Sequence, residues 1–344
     1  MPSPSNHQSP IADDSSKRIF PLDLCANHSH RGLLRPIARC GANRTRAGTT
    51  ATGRISSHQY SCHPAPLSTV CLSTDAERLN DLNQLIAHQD IPGKILAGRG
   101  GYGAVRLLPQ LDYARLCPLL REAGTQIIGY SDFTAIQLAL LAQGQLGSFA
   151  GPMVYGDFGC RQPSHYTQEH FIGVTTQASW TLSCNSQQVD EGQGEGLFWG
   201  GNLSVLCSLL GSPYFPDIKG GLLFLEDVGE QPYRIERMLQ QLYLSGVLGQ
   251  QKAIFMGDFG TGNMTDAYDS NYTLATVIAE IRQICKIPVF TGIPFGHTHH
   301  KTTLPLGFPA SYQAAPDQLT LTFSDYPHHC TQGLNLSALL TPND

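Results

Sequence analysis

The sequence predicts an α/β protein in two parts: an N-terminal parallel-sheet domain carrying a serine on a sharp strand-to-helix turn, and a C-terminal α/β domain. An aberrant N-terminal segment precedes them. Three observations predict this. Short apolar runs alternate with amphipathic segments, the pattern of strands buried between helices. The run QIIGYSDFTAIQLALLAQG, 126–144, passes abruptly from a strand end to apolar residues at helical spacing. The composition before residue 73 is unlike that after it.

The chain has 344 residues, room for two domains of ordinary size. Its net charge is −5 and 14% of its residues are charged; with no Lys/Arg-rich face after residue 60, nucleic acid is excluded as a partner class. No apolar run has the length of a membrane span, and the N-terminus lacks the apolar core of a signal peptide, so a cytoplasmic protein without a membrane partner is expected. Ten cysteines are scattered without CxxC pairs, which offers neither a zinc nor a disulfide framework. Cys117, Cys184, Cys207 and Cys285 lie among apolar residues and suit small core positions.

Residues 1–72 form the atypical segment. The stretch 31–71 is rich in Arg, Ser, His, Thr and Cys, is almost free of acids and has no sustained period. A disordered tail, an Arg- and Ser-rich transit peptide and a damaged region all fit that composition. After Ser73 the character changes. Thr74 and Glu77 form a capping-box pair, and Leu79, Leu82 and Leu85 give the helix behind them an apolar stripe.

Residues 73–165 make the expected nucleophile domain. KILAG (94–98) is a strand, RGGYG (99–103) a glycine turn, AVRLLPQLD a helix, and ARLCPLLREAG a second helix interrupted at Pro118. A buried strand ends at Gln126–Gly129, and from Phe133 a helix follows, with Phe133, Ile136 and Leu140 on one side. The irregular stretch 166–195 is expected to connect the two domains. Residues 196–330 form the second. Gly200 and Gly201 make a turn, and Asn202 caps the helix SVLCSLLG. GLLFLEDV is a strand, and YRIERMLQQLYLSGVLG is a helix ended by Gly246 or Gly249. QKAIFMGDFG, TLATVIAEIRQIC and IPVFTGIPFGHTHHKTTLPLG add a strand, a helix, and a strand–loop–strand. Residues 331–344 are a tail.

Chemistry concentrates in three loops. Ser131 sits two residues past Gly129 at the strand-to-helix junction, where a serine serves as a helix cap or as an exposed nucleophile. The amide after it, that of Asp132, lies at a helix N-terminus and can stabilise an oxyanion. Glu226 and Asp227 end an apolar strand, the position where sites form in α/β folds; a surface carboxylate is the plain alternative. His297 follows Gly296 in a loop, beside His299 and His300. HTHH also puts alternate residues on one face as a metal site would, though no further ligand is obvious. A serine needs a base, and the base needs an acid to hold its tautomer; Ser131, His297 and Glu226 supply those roles from separate loops.

RGGYGAVRLLPQLD, GYSDFTAIQ, the GPM after it, WGGNLSVLCSLLGSPYFPDIKGGLLFLEDVGEQPYRIERMLQQL and GIPFGHTHHKTTLPLG together resemble the LD-carboxypeptidases, serine peptidases that trim recycled murein tetrapeptides. The likeness runs in order from about Thr74 to about Gly307. It implies Ser131 as nucleophile, Glu226 as triad acid and His297 as base. It implies an oxyanion hole from the amides of Asp132 and, in the GGYG turn, Gly101. The implied fold is a nucleophile domain and a Glu/His domain with the site in their cleft. The implied molecule is a cytoplasmic homodimer needing neither metal nor cofactor. The implied reaction hydrolyses the amide between an L-configured centre, that of meso-diaminopimelate in many bacteria, and a terminal D-alanine. Arg99 could hold a substrate carboxylate or pin the turn. Trp199 and Asn202 are plausible cleft residues, with ordinary packing the alternative for Trp199. Two rivals stand beside this reading: a self-immunity hydrolase of the same family acting on antibiotic conjugates, and a non-catalytic muropeptide-binding relative.

The resemblance fails before Ser73. The family opens with a βαβ unit where this chain has the atypical segment, although the flanks Arg18-Ile19-Phe20 and Ser73-Thr74-Asp75 and the length between them fit. Intact flanks around a foreign interior are what a shifted reading frame with later compensation produces; resequencing that finds a clean frame for this same stretch would refute this hypothesis. A sheet lacking its first strands exposes edge backbone, so this segment is expected to fold poorly.

Overall fold

The computed structural model describes residues 19–22, 74–87, 91–185, 188–262, 264 and 266–329. The rest of the atypical segment and the tail 331–344 lie outside the described residues.

Two sheets carry the fold. In the first, β1 (Ile19–Leu22), β2 (Lys94–Ala97), β3 (Gln126–Gly129) and β4 (Ser148–Ala150) run parallel in that order. The expectation that the sheet lacks its first strands is thereby corrected at one place: Ile19–Leu22 pairs along β2, with Ile19 opposite Lys94. Beyond β4 lies a strand from far along the chain, β10 (Leu304–Leu306), antiparallel to it.

The second sheet joins β5 (Trp180–Asn185), β6 (Gly192–Asn202), β7 (Leu222–Glu226), β8 (Ala253–Met256), β9 (Val289–Phe290), β11 (Phe308–Ala315) and β12 (Gln318–Phe323) in the order β5-β12-β11-β6-β7-β8-β9. Its half from β6 to β9 is parallel and covered on both faces, so β7 and β8 are near-continuous apolar runs, buried throughout. Each of Leu222 to Leu225 is fully buried, a contribution of roughly 1.5–3 kcal/mol per side chain. The antiparallel half alternates buried residues with exposed or half-buried ones along β12 instead.

This topology redraws the boundary at 166–195. Trp180–Asn185 is an edge strand of the second sheet rather than a connection, and β10 carries the C-terminal region back into the first sheet. The segment after Asp325 is held by packing and by hydrogen bonds to the first sheet and its flanking helix. Tyr326 is buried, the Pro327 carbonyl accepts from Gln126 Nε2 at 2.7 Å, and the His329 amide donates to the Thr175 carbonyl at 3.0 Å.

Seven α-helices flank the sheets: α1 (Asp75–Asn83), α2 (Tyr113–Glu122), α3 (Thr134–Gly144), α4 (His165–Thr176), α5 (Leu203–Ser208), α6 (Pro232–Leu244) and α7 (Leu274–Cys285), counted among the described residues. The capping box at α1 is present, with the Thr74 amide donating to Glu77 at 2.7 Å. Pro118 does not interrupt α2: the Asp112 cap and buried Leu116, Cys117 and Leu120 outweigh one missing backbone bond. Ala104–Gln110 is a 3₁₀ segment, not an α-helix. Gly246, at φ +78°, follows the end of α6.

The helix α3 is buried on all sides from Thr134 to Leu140 and packs against β6 and α5. It is the element on which the two halves meet. Gly200 and Gly201 lie within β6 rather than in a turn, at φ +125° and +136°. A Cβ on Gly201 would come within 2.8 Å of the Thr134 side chain, so only glycine lets β6 pass this close to α3. The described cysteines are all free, and burial pushes the thiols of Cys184 and Cys207 up to about 12, which suits inert core positions.

Candidate active site

The strand-to-helix turn sets Ser131 in an uncommon conformation. Its φ is +64°, and it begins a single 3₁₀ turn, Ser131–Phe133, between β3 and α3. A non-glycine residue held there stores strain of order 1–3 kcal/mol, a cost tolerated where surrounding packing imposes the geometry. The cap alternative fails, because the residue preceding α3 is Phe133 and no side chain caps that helix. The first turn of α3 points its positive end toward the Ser131 side, and the amides of Phe133 and Thr134 bond back to carbonyls of the turn.

The glycine turn lies directly against the serine. A Cβ on Gly100 would stand 2.6 Å from Ser131 Cβ and 2.9 Å from its Oγ. Gly101 and Gly103 have φ of +65° and +93°, which glycine alone adopts without strain. Two side chains fix this loop. The Ala104 amide donates to Asp132 Oδ2 at 2.6 Å, and buried Arg78 donates to the Tyr102 carbonyl at 3.3 Å. Burial raises the Asp132 carboxyl above the usual range, while the Ala104 amide and the Arg78 and Arg106 cations pull it back.

The expected acid and base, Glu226 and His297, meet at the end of β7. Glu226 is 1% exposed; its Oε2 lies 3.0 Å from His297 Nδ1, and its Oε1 accepts from Asn202 Nδ2 at 3.2 Å. With Nδ1 engaged, Nε2 is the ring nitrogen left for proton transfer. The imidazole is partly exposed, and its ring meets Tyr130 edge-on with centroids 5.1 Å apart. Tyr130 immediately precedes Ser131, so the nucleophile turn and the base loop are in contact. Gly296, at φ +154°, passes within 3.0 Å of Asp258 as a Cβ would see it, which explains the glycine before His297.

The neighbouring acid has a different task. Asp227 Oδ2 accepts from the Ser204 amide at 2.9 Å, and Oδ1 from Val228 N at 2.8 Å and Asn202 Nδ2 at 3.1 Å. It secures the start of α5 and leaves the base to Glu226.

Three expectations change. Trp199 is fully buried, donates from Nε1 to Gln251 Oε1 at 2.9 Å and packs edge-on against Phe215, so it is a core residue and no part of the cleft. Asn202 caps α5 as expected, yet it too is buried, and its amide nitrogen bridges Glu226 and Asp227, so it positions the acid rather than lining the cleft. Arg99 does not pin the glycine turn. Its guanidinium lies 6.0 Å from the Tyr155 ring centroid, with no hydrogen bond or ion pair among the described residues. His299 and His300 do not build a metal centre: among the described residues no group of three His, Cys, Asp or Glu side chains converges, and His300 Nδ1 pairs with Ser164 Oγ at 2.7 Å. The sequence reading missed Gly100, Tyr130 and the partner of Asp132. Only the doubled glycine of RGGYG signalled the first. A cavity of about 280 Å³ opens beside the base loop, lined in part by Asp258, Phe295, Thr298 and His299. No described helix is long and apolar enough to cross a membrane.

Comparison with known proteins places this geometry. Residues 41–151 match the model of the LD-carboxypeptidase N-terminal domain, and residues 195–311 that of the C-terminal domain. The first match begins inside the segment that reads as atypical. The chain is 30% identical to the murein tetrapeptide carboxypeptidase of Pseudomonas aeruginosa over 68% of its length and 76% of the relative's. It is 31% identical to the microcin C7 self-immunity protein MccF of Escherichia coli over 67% and 75%. Among solved structures, the muramoyltetrapeptide carboxypeptidase of Oxalobacter formigenes superposes with a TM-score of 0.76 at 34% identity, covering 90% of this chain and 99% of that one.

Proposed function

This chain belongs to the LD-carboxypeptidase family, and on that premise we propose that it is a serine carboxypeptidase that releases terminal D-alanine from murein tetrapeptides. Ser131 Oγ attacks the scissile carbonyl while His297 Nε2 takes its proton. Glu226 holds the imidazole in the required tautomer and steadies the imidazolium. The amides of Asp132 and Gly101 receive the oxyanion, in a turn where Gly100 leaves no side chain between backbone and nucleophile. His297 then protonates the leaving amine, and water resolves the acyl-enzyme. Arg99, whose guanidinium stands 6.0 Å from the Tyr155 ring centroid, is the cation that would take the terminal carboxylate, which makes the enzyme an exopeptidase. In this reading the protein works in the cytoplasm as a homodimer during cell-wall recycling.

The observation that carries the proposal is the 3.0 Å pairing of His297 with Glu226 beside a serine held at φ +64°. Mass-spectrometric conversion of a murein tetrapeptide to its tripeptide, absent in Ser131→Ala, tests it; a wild-type chain that leaves the tetrapeptide intact would sink it. The likeness to MccF supports a second reading, a self-immunity hydrolase. A solved MccF structure holds glutamyl sulfamoyl guanosine and aligns with a TM-score of 0.65 at 27% identity. Turnover of an aminoacyl sulfamoyl nucleoside with no turnover of tetrapeptide would favour it.

A further inference from the structure

Behind the base loop lies a buried ion pair that the reaction scheme does not use. Lys301 is 1% exposed, and its ammonium donates to Asp157 Oδ1. Asp157 sits in a one-turn π segment, Val154–Phe158, a rare element that concentrates at functional places. Its second oxygen accepts from the Met153 amide at 2.8 Å, so the carboxylate is fully engaged. The ammonium also stands 5.1 Å from the centroid of the Tyr130 ring. That ring meets His297 at 5.1 Å and Phe295 at 5.7 Å, both edge-on. A single contact chain thus runs from Asp157 through Lys301 and Tyr130 to the base, and Tyr130 is joined by one peptide bond to Ser131.

Attachment of the loop does not explain this pair. Neutral bonds already stitch residues 299–302 to α4: Ser164 to His300 at 2.7 Å, the Lys301 amide to Thr167 Oγ1 at 3.0 Å, and His170 to Thr302 Oγ1 at 2.9 Å. Stability explains it no better, since a buried pair costs much of its attraction in desolvation and apolar replacements are often neutral or stabilising. What the pair adds is a cation fixed against one face of Tyr130.

We infer that Asp157 and Lys301 act together as positioning residues, holding the Tyr130 ring so that His297 is aimed at Ser131. The inference rests on the reading of Ser131 as nucleophile and His297 as base. An error of about 1 Å at a reacting centre can cost about 100-fold in rate, and Lys301 and Asp157 are themselves buried away from any bound peptide. The pair should therefore act on kcat and spare KM.

The test uses the full chain in four variants: Lys301→Met, Asp157→Asn, the two combined, and Ser164→Ala as a neutral stitch of the same loop. D-alanine release from tetrapeptide gives kcat and KM, labelling of Ser131 by a fluorophosphonate probe reports the nucleophile, and thermal melting reports the fold. Each single variant is expected to lose about 10- to 100-fold in kcat with KM within about twofold. The combined variant should lose no more than the worse single, because the two act as a unit. Ser164→Ala removes a neutral bond to His300 and the cap of α4 without touching Tyr130, so its cost should fall on melting while kcat stays within about twofold of wild type. Wild-type kcat in the single variants, a loss confined to KM, or costs that multiply in the combination would overturn the inference. Should a single variant fail to fold with its charge left unpaired, the combined variant decides alone: reduced kcat at wild-type melting supports the inference, and wild-type kcat overturns it. A wild-type chain that neither releases D-alanine nor labels at Ser131 overturns the functional reading and this inference together. Active wild type with unaltered variants overturns the inference only.

Discussion

His297 Nδ1 and Glu226 Oε2 stand 3.0 Å apart although 71 residues separate them in the chain. Glu226 ends a central parallel strand and is almost fully buried, and the imidazole reaches it from a loop and stays partly exposed. A buried carboxylate with one oxygen on an amide and the other on an imidazole has little freedom to turn, so the orientation of the imidazole is fixed by the fold.

Replacing that acid removes the tautomer control while keeping its shape. Glu226→Gln is expected to lower kcat by about 10⁴-fold, as loss of the orienting acid does in serine proteases, with melting little changed. Steady-state D-alanine release is the measurement, and a decrease of less than tenfold would count against Glu226 as the orienting group.

Ser131 couples activity to strain. Ser131→Ala should abolish probe labelling and cut turnover by at least about 10³-fold. Ser131→Gly should be equally inactive yet more stable than wild type by about 1 kcal/mol, because glycine adopts φ +64° without the Cβ penalty. Denaturant melts of wild type and both variants would show it.

Gly100→Ala should act at a distance of one atom. The new methyl would fall 2.6 Å from Ser131 Cβ, so either the glycine turn or the nucleophile must move. Turnover is expected to drop about 100-fold with tetrapeptide binding largely kept, as misplacement near a reacting centre predicts. Isothermal titration of a slow variant would separate the two.

Arg99 supplies a test of exopeptidase specificity. Arg99→Gln would remove the charge-assisted contact that the proposed function assigns to Arg99, worth roughly 1.5–3 kcal/mol, so KM for a tetrapeptide with a free carboxylate should rise about tenfold or more. A C-terminally amidated peptide should be a poor substrate for wild type and be no worse for the variant. Equal loss on both peptides would assign Arg99 to the fold instead.

Two histidines should make the protein sensitive to mild acid. Burial holds His170 below its ordinary value, against a small opposing pull from Glu169. Burial, with help from Lys94, does the same to His329, which bonds to the Gly93 carbonyl at 2.8 Å. The folded form of each thus resists a proton that the unfolded chain accepts near pH 6.5. Their contribution is complete above about pH 6.5 and is lost as the pH falls from there toward the lower folded values. Melting temperature should therefore drop between pH 7 and pH 5, and His329→Gln should flatten that slope. A wild-type profile with no slope in this range would contradict the assignment.

Much of the site was legible in advance because its signals are local. An apolar strand, a glycine and a serine before a helix announce an elbow in sequence alone, and two acids after LLFL announce a strand end. Cap chemistry at Thr74 and Asn202 was readable for the same reason, since a cap is set by residues three apart. For Trp199 the sequence left cleft and core both open, because it sits between Phe198 and two glycines; its neighbours in space, Phe215 and Gln251, put it in the core. Asp157 and Lys301 left no signal, because a lone acid and a lone lysine 144 residues apart look like surface charges.

The sequence by itself therefore determined the alternation of strands and helices, the glycine-lined turn and the kinds of side chain on offer, because each depends on periodicity and backbone freedom over a few residues. Tertiary structure alone decided that the Glu226 carboxylate and the His297 imidazole come within 3.0 Å, that β10 returns to the first sheet, and that Asn202 bonds to both acids. Those outcomes depend on which strand ends are brought side by side, and long-range packing, not local propensity, sets that.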